Sequence, residues 1–257
     1  MYSIRSLLPC VLGVALGLGT VPSRALVLDW NSIAWTAGSL SQSYDIDPSN
    51  PGNDVTVAVT STSFTSGHPA KSTVQTGGLS PAQSSLQLDV NWSSTSQSTT
   101  LTVSFNYADG VEGVSFSLFD VDTGTGNPLS YQDEISNIAA YYDAGYTIAP
   151  DSVTGSPNNS VTGSGLSYNV VGTANSSDTT SNANVQIAFN GPIKGFQFTF
   201  APGPNSQSNP SGQVIAMNDI TFLPVIPEAG VVPAAATGFV LAFLALRRMR
   251  RSAPKES

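Results

Sequence analysis

Cysteine is almost missing from this 257-residue chain, the only one being Cys10, so a disulfide framework is excluded. Basic side chains are nearly as scarce. Of nine lysines and arginines, only Lys71 and Lys194 fall between residues 26 and 226, against fifteen acids, a formal charge of −13 for that span. Such a surface repels phosphate backbones, which excludes nucleic acid as a partner, and it attracts cations. Glutamate and lysine, which favour helices, are few. Serine, threonine, asparagine and glycine dominate, so the body of the chain reads as extended structure. About 200 residues between the two ends suffice for one domain with its own core.

The other basic residues are concentrated at the ends. Arg5 precedes an apolar stretch from Leu7 to Leu18, and Ser23 and Ala25 place small residues at −3 and −1 of a cleavage site. This is the pattern of an export signal over residues 1–25, cut by signal peptidase after Ala25. Pro22 stops the run short of a membrane anchor. Pro9 stands before Cys10 where a lipoprotein signal wants a small residue. At the other end, Ala229 to Leu246 is eighteen residues without a charge. As a helix rising 1.5 Å per residue it approaches the thickness of a bilayer core. Arg247, Arg248, Arg250 and Arg251 follow at once and act as a stop-transfer cluster. They predict a cytoplasmic tail over 252–257 and leave residues 26–224 outside.

Pro227-Glu228-Ala229, the apolar segment 229–246 and the arginine cluster together resemble a PEP-CTERM sorting signal over residues 225–251. The resemblance implies export by a Gram-negative bacterium and processing by an exosortase at the inner membrane. It also implies a destination at the cell surface or in an exopolysaccharide matrix. Ala229 stands where the family motif has its second proline, so plain membrane anchoring remains the alternative.

Between the ends, apolar and polar residues alternate. Val55, Val57 and Val59 share one face of a strand, as do Leu86, Leu88 and Val90, and Leu101, Val103, Phe105 and Tyr107. Val114, Phe116 and Leu118 follow the turn Ala108-Asp109-Gly110. Val185, Ile187 and Phe189 are separated from Phe196, Phe198 and Phe200 by Asn190-Gly191-Pro192. Ile215 and Met217, then Ile220 and Phe222, predict a closing strand bulged near Asn218. Period-two alternation between turn clusters predicts an all-β domain, an antiparallel β-sandwich of jelly-roll-like order. Residues 61–84 and 151–183 read as surface loops or irregular edge strands, and 202–210 as a proline-rich loop. The single place for a helix is Asp133 to Tyr142.

The densest polar group is Phe119-Asp120-Val121-Asp122-Thr123-Gly124-Thr125-Gly126-Asn127, continuing to Asp133 and Glu134. Asp120, Asp122 and Asp133 supply hard oxygen donors of the kind calcium takes, though not at EF-hand spacing. The same aspartates also suit a turn in which carboxylates accept from backbone amides. His68, the only histidine, lies in a loop sequence without a nucleophile elbow, and no carboxylate pair stands out for glycoside hydrolysis. Trp30, Trp35 and Trp92 with Tyr131, Tyr141, Tyr142 and Tyr146 could form a sugar-stacking face, but such residues more often belong to a core. The sequons at Asn91, Asn158 and Asn175 are expected by chance in such a composition. The sequence thus predicts a non-enzymatic structural or adhesive protein of the envelope or exopolysaccharide matrix. Alternatives are a carbohydrate-binding module and a secreted polysaccharide hydrolase.

Overall fold

The structure is a computed structural model that describes residues 24–225 apart from Thr62 and Ser211. The leader to Ser23, the Pro227-Glu228-Ala229 motif, the apolar segment 229–246 and the arginine cluster lie outside the described residues. Among the described residues, no helix is long and apolar enough to cross a membrane.

The described strands are β1 (Leu26–Leu28), β2 (Ser41–Tyr44), β3 (Val55–Thr60), β4 (Ala70–Ser72), β5 (Ser85–Val90), β6 (Thr99–Phe105), β7 (Val111–Phe119) and β8 (Asp133–Tyr141). Next in the chain come β9 (Ser152–Gly155), β10 (Asn159–Thr162), β11 (Asn169–Gly172), β12 (Val185–Phe189), β13 (Gly195–Pro202), β14 (Gln213–Met217) and β15 (Ile220–Pro224). They form two antiparallel sheets. In the first, β7 is central, with β12 and then β9 on one side; β14 and β15 lie end to end on the other, continued by β5-β4 and by β1. The second runs β10-β11-β8-β13-β6-β3-β2.

The expected alternation is what builds the core. In β6, Leu101, Val103 and Phe105 are buried while Thr100, Thr102 and Ser104 are half-buried on the other face. One apolar face per strand is covered only by a second such sheet. Phe116 of β7 and Phe196 of β13 meet across the layers, stacked at 4.5 Å between ring centres. The closing strand breaks at Asn218-Asp219, where its outer neighbour changes from β5 to β1. The Asn218 amide still donates to the Ser117 carbonyl at 2.9 Å, keeping the ladder on β7 continuous.

The structure decides three readings that the sequence left open. Asp133–Tyr142 is not helical: β8 is an inner strand of the second sheet. A bulge opposite Phe198, with Asn137 at φ 50°, puts Ile135 and Ile138 on the same buried face three residues apart. That spacing imitates a helical period. The stretch 151–183 contributes edge strands β9 and β10, the strand β11 between β10 and β8, and a 3-10 turn at Gly165–Ser167, and 61–84 contains β4. Trp30, Trp35 and Trp92 are buried, so they belong to the core and not to a platform. Trp30 and Trp35 leave β1 in a turn and meet edge to face at 6.2 Å, instead of pointing apart as they would on a strand.

Strand direction gives the sandwich two distinct poles. β15 ends beside the start of β7, Pro224 opposite Val111, and β1 begins beside the end of β15, Leu26 opposite Phe222. Both ends of the described chain therefore emerge at one pole, where Arg24, Leu26, Asp45, Asp47, Tyr107 and Val225 line a cleft of about 1060 Å³. β7 carries the chain away from this pole to Asp120.

A candidate acidic site at the far pole

At the end of β7, Asp120 adopts φ 64°, a left-handed conformation that aspartate tolerates better than most residues. It turns the chain into a loop pinned by Gly124 N–H to the Tyr131 carbonyl and Ser130 N–H to the Thr125 carbonyl, both 3.0 Å. The loop returns so that Asp122 and Asp133 face one another. The Asp133 amide donates to the Asp122 carbonyl at 2.9 Å, and the Asp122 amide donates to Asp133 Oδ2 at 3.1 Å.

Three further segments close over this pair. Gln213, the first residue of β14, donates through Nε2 to Asp133 Oδ1 at 2.7 Å and to the Gln132 carbonyl at 3.0 Å. Ser176 gives its amide to Asp122 Oδ2 at 2.7 Å, and the Tyr131 hydroxyl donates to Asp122 Oδ1 at 3.0 Å. Buried Gln132 ties β11 to the loop that follows β13. Its Nε2 donates to the Gly172 carbonyl at 2.7 Å, and its Oε1 accepts from the Asn205 amide at 3.0 Å. Gly172 has no room for a side chain, since a Cβ there would stand 2.1 Å from the Asp122 carbonyl oxygen.

Asp120, Asp122 and Asp133 are thus brought to one place, with Asp178 close enough to act on the first two electrostatically. Among the described residues no basic side chain forms an ion pair with any of them, the single close contact of opposite type being His68 with Asp89 at 3.9 Å. Burial is the largest influence on all three acids. It raises the Asp120 pKa to about 8, reinforced by the charges of Asp122 and Asp178. It raises Asp122 to about 6 against the bonds from Ser176 and Tyr131, and it holds Asp133, fully buried, well above the ordinary range. Chemically, the site is an acid cluster in which burial favours the protonated form of Asp120 and Asp133 at neutral pH, while Asp122 gives up its proton sooner.

Both oxygens of Asp122 and of Asp133 accept bonds from the protein, one on each carboxylate from a backbone amide and the other from a side chain. The Asp120 carboxyl makes no hydrogen bond among the described residues. Also among the described residues, no group of three or more His, Cys, Asp or Glu side chains is arranged to hold a metal ion. The carboxylates were visible in the sequence. Gln213, Ser176, Gly172 and Asp178 were not, because they arrive from 40 to 90 residues further along and carry no motif.

The tyrosines divide. Tyr131 belongs to the acid cluster. Tyr141, Tyr142 and Tyr146 are half-buried together on the second sheet, with Lys194 Nζ 4.9 Å from the Tyr142 ring centre. No protein-family model matches the chain, and no curated protein shows significant similarity to it.

Proposed function

We propose that the chain is an exported, non-enzymatic structural or adhesive protein of a Gram-negative envelope or exopolysaccharide matrix. In this reading its sandwich, residues 26–224, stands outside the inner membrane. Signal peptidase removes residues 1–25, and an exosortase acts on the Pro227-Glu228-Ala229 signal once the 229–246 helix is halted by Arg247, Arg248, Arg250 and Arg251. The observation that carries the reading is the common exit of both chain ends. Arg24 and Ala25 are exposed immediately before β1, and Val225 leaves β15 at the same pole. This arrangement suits a leader and a sorting helix that enter one bilayer, since both segments leave the sandwich from the same pole. The sandwich is taken as a jelly roll. The order β5-β14-β7-β12 against β6-β13-β8-β11, with the chain changing sheet from β5 through β8, supports it.

Intact-mass spectrometry of the protein from its native cell tests the reading. A mature chain starting at Leu26 is expected, with the C-terminal segment removed near Pro227-Glu228. A chain with an intact leader, recovered from the cytoplasm, overturns it. A mature N-terminus with residues 229–246 retained in the membrane supports anchoring over exosortase processing.

For the far pole we propose calcium as the ion taken up when the acids ionise, with Asp120 the first ligand because its carboxyl is uncommitted. Titration calorimetry at pH 8.5 is expected to show calcium binding that Asp120→Asn abolishes. No heat above dilution ends the calcium proposal.

A further inference from the structure

Beyond Glu134 of β8, the outward face of the central strands of the second sheet has no charge. Across β8 from Ser136 onward, β13, β6 and β3, paired residues present hydroxyls and amides in rows. Thr199 lies opposite Thr100, which lies opposite Thr60; one row on, Gln197 lies opposite Thr102, with Ala139 and Ala58 at the two ends of the row. None of the fifteen acids or two lysines of residues 26–226 projects from these rows. Most of these side chains are half-buried against one another, as in the 3.3 Å contact between the Thr100 and Thr199 hydroxyls.

At one end of this face two aromatic rings lie on it. Tyr141 crosses Gly195 so closely that a Cβ on that glycine would stand 2.4 Å from the ring, and its hydroxyl reaches Ser104 Oγ at 3.1 Å. Tyr146 meets Tyr141 at 5.1 Å and 79°, with its hydroxyl beside Thr102. Strand spacing of about 4.8 Å makes the strip on the order of 15 Å wide. We propose that this face, with Tyr141 and Tyr146 as stacking rings and the Thr100, Thr102 and Ser104 hydroxyls as hydrogen-bonding partners, binds a neutral polysaccharide.

Charge and composition choose that occupant. Sugar rings offer an apolar face to a tyrosine and hydroxyls to threonine and serine, and they can cover an uncharged sheet without stripping water from any ion. An anionic polymer would be repelled by a domain of charge −13. A protein partner would want apolar anchors, yet the exposed large aliphatics, Val27, Leu40, Val74, Leu79 and Leu166, all lie outside these four strands. The inference deepens the matrix-protein reading and rests on it for its biological setting, while in vitro binding and cellular export are read separately.

The test is affinity electrophoresis of the full chain in a polyoxyethylene detergent, through gels containing mixed-linkage glucan, xyloglucan, galactomannan or alginate. Retardation is expected in at least one neutral gel and not in alginate. Tyr146→Ala is expected to weaken it at least tenfold with the melting temperature nearly unchanged, and Thr102→Asp to abolish it. No retardation in any neutral gel overturns the proposal, as does retardation that both variants retain or retardation in alginate alone. Concentration-dependent dimerisation abolished by Thr102→Asp would reassign the face to a second copy, and equally overturns it.

Discussion

Replacing Phe196 with alanine is expected to destabilise the sandwich by about 3–5 kcal/mol, the range for emptying a buried aromatic site. Phe196 is fully buried in β13, an inner strand of the second sheet. Its ring is stacked on Phe116 at 4.5 Å and lies 5.9 Å from Phe189, both in the facing sheet, and 6.2 Å from Phe105 beside it. The residue is therefore a link between layers, and its removal leaves a void that neither sheet can close without losing register elsewhere. For a domain near 200 residues this corresponds to a fall in melting temperature of roughly 10 °C. Urea unfolding measures the free energy directly. A loss under about 1 kcal/mol would mean that the two sheets do not meet through this ring. Tyr146→Ala, which removes a ring from the outer face, is the matched control and is expected to change stability far less.

Residues such as Phe196 were legible in the sequence because each central strand has one dry and one wet face. Val55 to Val59, Leu101 to Phe105, Val185 to Phe189 and Phe196 to Phe200 all alternate as expected, with their apolar members buried. The break at Asn218 was also visible, since Met217 and Ile220 are out of phase for a single strand. Legibility fails where that contrast fails. β8 was obscured by its bulge, which shifts the period after Asn137. β2, β9 and β10 lie at or near sheet edges and are made largely of serine, threonine and asparagine, with little of either strand face buried. The tryptophans were read as core in preference to a platform, and Trp30, Trp35 and Trp92 are buried in it. At the acidic site, Asp120, Asp122 and Asp133 were readable as a local concentration of carboxylates. Their burial was not, because it is produced by Gln213, Gly172 and the 173–183 loop through contacts that no local window contains.

Raising the pH from 5 to 9 is expected to weaken the fold by about 3 kcal/mol or more, a fall of roughly 10 °C in melting temperature. In the unfolded chain these aspartates ionise near pH 4. In the folded chain Asp122 holds its proton to about 6 and Asp120 to about 8, both because burial penalises the charge, and Asp133 is shifted in the same direction. The folded state thus binds protons more tightly. Its stability is complete below the unfolded pKa and is lost as pH climbs through the folded values, at about 1.4 kcal/mol per unit for each proton retained. General repulsion in an acidic domain has the same sign, so a variant must separate the two. Asp120→Asn removes a buried charge while keeping a residue that accepts φ 64°. It is expected to flatten the pH dependence and to stabilise the protein at pH 9. Asp143→Asn removes an equal charge from an exposed loop and is expected to leave the slope in place. Millimolar calcium is expected to restore stability at pH 8.5 and to do little at pH 5, because a cation then neutralises carboxylates that have lost their protons. Stability that stays level or rises from pH 5 to 9 would show that the far-pole acids are solvated rather than buried. Both the proton-holding cluster and the calcium proposal built on it would then fall together.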